Sequence, residues 1–263
     1  MGYVSNGITF DFYDIPEVPP ALTIPEIYPI SAVTLNGGTT KTLVVQFNAT
    51  DTNGYTDLNF ATASVSVTSG ITTRTSSSCE ATANYTTTST ITCNITMNFY
   101  DEAGNYDINA TIKDQTTAIA NNVTDNFFVV NVLDYVTQDV TYVIWATATV
   151  GTDDNEADNT ITFTNGGNQD YTNFKVLGKN ATGITYNDVI TTDKFSMSNL
   201  TGQTTGQTYL VDGNEVEMSP MLNLNRHGAS ETQIAYFYLD IPIGLNADTY
   251  TSDSAWEISI TNV

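Results

Sequence analysis

The sequence predicts an all-β fold, two tandem β-sandwiches behind an extended N-terminal arm. Three observations carry that prediction. Apolar residues recur at every second position through much of the chain, the period of a strand with one face buried and one wet. Thr, Val, Ile and Tyr, which suit a pleated and half-buried surface, are abundant. Turn signals recur at roughly ten-residue spacing, the rhythm of a sandwich rather than of parallel α/β units. No helical period extends beyond about two turns.

Taken in order, residues 1–27 form the arm. Pro16, Pro19, Pro20, Pro25 and Pro29 cluster in "IPEVPPALTIPEIYP", a composition for an extended, polyproline-like lead-in. Ahead of them "ITFDFYDI" is β-prone, and Ile8, Phe10, Phe12 and Ile15 are expected to add as a strand to a neighbour. A first sandwich occupies 28–133. Its strands are "TLVVQFNAT" (Leu43, Val45, Phe47), "ASVSVT" (Ala63, Val65, Val67), "ITCNITMNFY" and "YDINATI", closing on "DNFFVVNVLDYV". In the third of these Ile91, Cys93, Ile95, Met97 and Phe99 alternate; in the fourth, Tyr106, Ile108, Ala110 and Ile112. The segment joining them, "NFYDEAGNYDINATIKD", is expected to be a structural hairpin with an exposed acidic turn and Tyr106 as its anchor.

A second sandwich occupies 134–263. "VTYVIWATATV" and "IAYFYLDIPIG" are apolar on both parities and suit central strands covered on both sides. "TITFTN" (Ile161, Phe163) and "AWEISITNV" (Trp256, Ile258, Ile260) alternate. Between the runs lie "LNGGTT", "DTNGYTD", "DEAGNYD", "TNGGNQD" and "VDGNE", whose Asn-Gly and Gly-Gly pairs supply the positive φ of tight turns.

Composition narrows the function classes. Seven Lys and Arg face 29 Asp and Glu, a formal net charge of -22. Such a chain repels phosphate backbones and anionic membranes and attracts cations or basic partners; the charge also keeps a lysine-poor β protein soluble. Hydrophobic residues at 40% are ample for a core, which excludes disorder. No apolar run is long enough to span a membrane as a helix. "MGYVSNGITF" has neither a basic n-region nor an apolar h-region, as expected where a signal or anchor has been removed.

"FYDEAGNYDINATIKD" resembles the closing hairpin of PKD-type and related immunoglobulin-like modules of cell-surface proteins. Phe99, Tyr100, Gly104, Tyr106 and Asp114 fit that pattern. "VVQFNATDTNGYTDLNFATASVSV" is similar to the neighbouring strands of such modules in archaeal surface proteins. "YFYLDIPIGLNADTYTSDSAWEISI" resembles the final hairpin of archaeal envelope β-domains. The resemblance covers about half the chain. It implies modular, extracellular, structural or adhesive roles, with two immunoglobulin-like domains, and it names no ligand.

Cys79 and Cys93 are the two cysteines. They are placed to join the arms of one hairpin, or a strand to its neighbouring loop, as a disulfide outside the cytoplasm. The spacing is too short for the inter-sheet bridge of an immunoglobulin domain. The alternative is a pair of unrelated buried thiols.

Candidate sites follow from residue chemistry. N-x-S/T sequons stand at Asn48, Asn84, Asn94, Asn109, Asn122, Asn180 and Asn199; in a chain this rich in Asn and Thr they permit glycosylation without arguing for it. Asn94 and Asn109 fall on outward strand parity. "GTDDNEADN" brings Asp153, Asp154, Glu156 and Asp158 together in sequence, hard oxygens of the kind Ca2+ takes, without EF-hand spacing. "DTNGYTD", with Asp51, Asn53 and Asp57, is a second acidic turn. A solvated turn is the plain reading of both.

Enzymatic chemistry finds little footing. His227 is the one histidine, which rules out a His-rich zinc site, and no G-x-S-x-G elbow accompanies it. Trp145 and Trp256 fall on strand-patterned segments and read as core rather than sugar platforms. The expectation is a non-enzymatic extracellular protein of the cell surface, a surface-layer or filament subunit. Its partners would be copies of itself or neighbouring envelope proteins. The alternative is an adhesin binding a glycan or a protein through the loops Asn165 to Tyr171 or Asp212 to Glu217.

Overall fold

Period-two burial and β-branched residues fold this chain into several antiparallel sheets. No α-helix occurs among the described residues, only two 3-10 turns of one turn each. The computed structural model describes residue 27 and residues 30–219, 223–227 and 231–262. Ile8, Phe10, Phe12 and Ile15 lie outside them, as does the rest of the arm except Ile27.

Two compact units divide the chain. The first takes in the chain up to Ser31, Thr42–Thr96 and Tyr106–Phe128; the second takes in Ala32–Lys41, Met97–Asn105 and Val129–Val263. The membership is more interleaved than a single division between 133 and 134.

Seven strands build the first unit: β1 (Thr40–Thr50), β2 (Leu58–Ser69), β3 (Thr72–Ser76), β4 (Cys79–Asn84), β5 (Thr88–Asn98), β6 (Gly104–Asp114) and β7 (Ile119–Val130). They form two sheets, β1-β5-β4 and β3-β2-β6-β7. Alternate residues go inward: Val45, Phe47 and Ala49 on β1, Ile91, Cys93 and Ile95 on β5, and Tyr106, Ile108 and Ile112 on β6 are 2% exposed or less. Tyr106 stacks on Phe128 with ring centroids 5.2 Å apart. Burying such side chains contributes about 1.5–3 kcal/mol each.

The expected hairpin from Asn98 to Asp114 is not one. Its two strands, β5 and β6, belong to different sheets, so the acidic turn is a corner from one sheet to the other. Periodicity reports which faces are buried, and a hairpin and a corner share that pattern. Asp101 is 1% exposed rather than solvated, because its Oδ2 accepts the Asn98 N–H at 2.9 Å and closes the turn.

In β2 the register against β6 shifts between Asn59 and Ser64. Thr62 Oγ1 donates to the Asn59 carbonyl at 2.7 Å and accepts from the Lys113 N–H at 2.9 Å, which satisfies the group the ladder drops. Cys79 and Cys93 stand opposite each other in the β4–β5 ladder and are joined as a disulfide. The bond therefore ties the outer strand β4 to β5 within one sheet.

The second unit carries twelve shorter strands: β8 (Val136–Gln138), β9 (Asn155–Glu156), β10 (Ile161–Asn165), β11 (Tyr171–Leu177), β12 (Ala181–Gly183), β13 (Val189–Ile190), β14 (Phe195–Ser198), β15 (Thr208–Tyr209), β16 (Val216–Glu217), β17 (Thr232–Leu239), β18 (Tyr250–Ser252) and β19 (Glu257–Asn262). They make three sheets rather than a plain pair: β15-β14-β17-β10-β8 with β9 beside β17, β16-β11-β19, and β13-β12-β18. β17, read from "IAYFYLDIPIG", is central as its double-sided apolar pattern requires. The strands of the expected final hairpin, β17 and β19, again lie in separate sheets.

"VTYVIWATATV" is not a central strand. Residues 140–150 are irregular, because asparagine and aspartate side chains capture their backbone. The Ile144 N–H donates to Asn159 Oδ1 at 2.8 Å and the Ala146 N–H to Asp158 Oδ2 at 2.5 Å, while Asn159 Nδ2 donates to the Tyr142 carbonyl. Local side-chain partners of this kind compete directly with a ladder.

Closing the 14-residue separation of Cys79 and Cys93 restricts the unfolded chain by about 3 kcal/mol in the loop-entropy model. The Cys79→Ala/Cys93→Ala double variant is expected to lower unfolding free energy by about that amount in urea titrations. An unchanged midpoint would show that the bond adds nothing to stability.

Candidate functional site

The acidic turn after β8 does not gather its carboxylates. β9 occupies Asn155–Glu156 and pairs with β17, so strand alternation sends neighbouring side chains to opposite faces. Each carboxylate then finds its own partner. Asp154 Oδ1 accepts from Gln207 Nε2 at 2.8 Å, and Glu156 accepts from Thr201 Oγ1 at 2.9 Å and the Gly202 N–H at 2.5 Å. Asp158 holds the Ala146 N–H. Asp153 is exposed. Among the described residues no three His, Cys, Asp or Glu side chains stand together as a metal-holding group.

Asp154 adopts φ 56° and its N–H donates to Asp240 Oδ1 at 2.8 Å. The Tyr209 phenol nearby is pushed above its ordinary value, first by burial and then by Asp240, Asp154 and Asp153. The turn is a structural brace.

The second acidic turn is different. Asp51 is fully buried, and Asp57 and Asp114 lie close enough to act on its charge. Asp114 was missed by motif reasoning because it lies 57 positions beyond Asp57; only the pairing of Leu58 with Asp114 across β2 and β6 brings the two turns together.

"TNGGNQD" is neither exposed nor a positive-φ turn. Asn165 and Asn168 are 0% and 1% exposed, and neither Gly166 nor Gly167 has positive φ. Their glycines are needed for close approach. A Cβ on Gly166 would fall 2.7 Å from Tyr135 Cδ1, and one on Gly167 would fall 2.2 Å from the Leu133 carbonyl oxygen. The two amides bind backbone: Asn168 Oδ1 accepts the Leu133 N–H at 2.7 Å and its Nδ2 donates to the Asn131 carbonyl, while Asn165 Nδ2 donates to the Gln169 carbonyl. Tyr171, at the end of this loop, donates to Asp134 Oδ1 at 3.2 Å; burial, then Asp134, pushes its phenol up to about 12. The loop from Asn165 to Tyr171 is thus committed to the interior, and Asp212 to Glu217 is the exposed turn of the two.

His227 stacks on Tyr100 with ring centroids 3.9 Å apart and planes 13° apart. Beside it Arg226 pairs with Glu102 at 2.5 Å. All four residues belong to the second unit, and the exposed histidine also faces Glu231, its Nδ1 3.9 Å from Oε2. Trp145 and Trp256 flank Phe195, at 5.7 Å and 5.1 Å between rings, at the margin of the second core.

The sequons fall into two groups. Asn84 and Asn94 are exposed, while Asn48, Asn109, Asn122, Asn180 and Asn199 are half-buried. The Asn180 amide oxygen is taken by the Thr192 N–H and hydroxyl, and Asn48 Oδ1 by Thr90. Asn109 keeps its Oδ1 buried, despite its outward parity. Asn94 is the sequon most open to modification.

No protein-family model matches this sequence, and no curated protein matches it significantly. Solved structures similar to it include dimeric latent PorU from Porphyromonas gingivalis, at 13% identity and TM-score 0.30, covering 93% of this chain and 20% of that one. The secreted serine protease VesC from Vibrio cholerae is similar at 13% identity and TM-score 0.22, covering 88% and 49%. This chain spans a fifth and about half of those lengths. Likenesses at these scores define neither a family nor an activity.

Gly167→Ala drives a Cβ into the Leu133 carbonyl, and all three nearest atoms are backbone. The expected loss is about 2 kcal/mol or more of unfolding free energy. Gly202→Ala, where no atom lies within 4 Å but φ is +64°, is expected to cost about 1 kcal/mol. Paired urea titrations compare them; equal losses would refute the close-packing account.

Proposed function

We propose that this chain is a non-enzymatic structural protein of an extracellular surface. It assembles with copies of itself or with neighbouring envelope proteins as part of a surface layer or filament. In this reading both units are immunoglobulin-like modules of archaeal surface proteins, the first of the PKD type and the second like the β-domains of archaeal envelopes, and exposed sequons such as Asn94 carry glycans.

The observation that carries the reading is β7. It lies at the end of the sheet β3-β2-β6-β7 and runs for 12 residues. Its outward parity presents Ile119, Val123 and Val129 at 59%, 57% and 42% exposure. Val33 bridges its far end at Val130 and its sequence carries one acid, Asp125; the rest of this strand is a sheet edge of the kind that serves as a template for strand addition. The arm residues Ile8, Phe10, Phe12 and Ile15 supply a β-prone segment that would dock on such an edge in a second copy. The disulfide between Cys79 and Cys93 supports an oxidising compartment.

The adhesin reading draws support from the exposed turn Asp212 to Glu217, where a glycan or protein would be met. The buried Asn165 to Tyr171 loop offers it nothing.

Val123→Lys places a charge on the outward face of β7 and leaves the core untouched. Wild-type protein at high concentration is expected to form ordered assemblies by negative-stain microscopy and sedimentation, and the variant to remain monomeric with an unchanged melting temperature. A wild type that stays monomeric, with or without calcium, would sink the assembly reading.

A further inference from the structure

Three carboxylates meet at one end of the first unit. Asp51 follows β1, Asp57 closes the 3-10 turn Tyr55–Asp57 that leads into β2, and Asp114 ends β6. The backbone draws them together. The Gly54 N–H donates to the Asp51 carbonyl at 3.1 Å, the Asp57 N–H to the Gly54 carbonyl at 3.0 Å, and the Gln115 N–H to the Asp57 carbonyl at 2.9 Å. Asp51 and Asp114 are both 0% exposed.

Each of those two spends one oxygen on its own turn. Asp51 Oδ1 accepts the Asn53 N–H at 2.8 Å. Asp114 Oδ1 accepts the Ala118 N–H at 2.8 Å and the Thr116 hydroxyl at 3.0 Å. The second oxygen is another matter: Oδ2 of Asp51, of Asp57 and of Asp114 is buried and meets no donor. Ion pairs such as Lys194–Asp193, Arg226–Glu102 and His227–Glu231 lie elsewhere. A buried carboxylate oxygen with neither donor nor counter-charge is strongly unfavourable, so native proteins pair such groups or give them to a metal.

We propose that this end of the first unit is a binding site for one hard divalent cation of the calcium class, held by Asp51, Asp57 and Asp114. The three carboxylates are not drawn up into a finished ligand group. In this proposal a cation draws the Oδ2 atoms of Asp51 and Asp114 toward it while their Oδ1 atoms stay anchored. Loop carbonyls and water complete the shell. All-oxygen ligands on two loops suit calcium, which takes six to eight oxygens in flexible geometry; magnesium demands a stricter octahedron, and zinc prefers nitrogen and sulfur. Affinity in the ~0.1–1 mM range of extracellular modules is expected. The site is independent of assembly, and a monomer would bind equally well.

The burial of Asp51 favours its neutral form, with a lesser push from Asp57 and Asp114, so its carboxyl is held above the ordinary value despite the Asn53 bond. These two carboxylates are the charged groups acting on it.

The test uses the full chain stripped with chelator. Terbium is titrated with tyrosine excitation, Tyr55 lying within the 3-10 turn, and is then displaced by calcium; melting is followed at neutral pH in calcium and in chelator. The expected result is tyrosine-sensitised emission and a higher melting temperature in millimolar calcium. Asp51→Asn and Asp114→Asn should each weaken terbium at least tenfold and abolish the calcium effect, while Asp153→Asn behaves as wild type. In chelator Asp51→Asn should melt above wild type, because it removes an uncompensated buried charge, and this readout survives if Asp114→Asn fails to fold. The proposal is overturned if wild type shows neither emission nor a calcium-dependent melt. It is overturned equally if Asp153→Asn abolishes the response and Asp51→Asn keeps it.

Discussion

A carboxylate held by a backbone N–H is the interaction on which the loops of this protein depend. With 29 acidic residues and seven basic ones, ion pairs cannot serve most of the carboxylates, and the main chain serves them instead. Asp101 binds the N–H of Asn98, Asp114 that of Ala118, Asp158 that of Ala146, and Asp170 that of Arg226. Asp248 takes three, from Thr185 at 2.6 Å, Tyr186 at 2.9 Å and Thr249 at 2.7 Å. Hydrogen bonds to ionised groups are the stronger kind, and each of these fixes a turn. The excess of acid over base, which reads in composition as a solubility device, is also the turn-building material.

The same economy explains where sequence reasoning succeeded and where it failed. The inward residues of β1, β2, β5 and β6 were legible because a strand with one wet face repeats every two residues. Residues 140–150 were not legible, because what unmakes their apolar strand is Asp158 and Asn159, more than ten positions downstream. "TNGGNQD" carries the letters of an exposed turn, yet its glycines answer to Tyr135 and the Leu133 carbonyl. Local letters report local φ; they do not report a backbone arriving from elsewhere.

The candidate sites divide along the same line. Cys79 and Cys93 were readable as a pair because few residues separate them, although the choice between hairpin and loop needed the ladder. The run from Asp153 to Asp158 was the denser acidic sequence and proved to be a brace, since β9 turns its side chains apart. Asp51, Asp57 and Asp114 make the more telling group, and it is assembled by strand register. Density of acid along the chain is thus a poor guide to convergence of acid in space.

The corner between β5 and β6 has one more consequence. The two sheets of the first unit draw alternately on the chain, β1, β4 and β5 for one and β2, β3, β6 and β7 for the other. Neither can be completed from a contiguous length of polypeptide. A chain emerging from its N-terminus must present everything as far as β7 before the second sheet closes, and the pairings of β1 with β5 and of β2 with β6 wait on distant partners, the kind of non-local contact that slows folding.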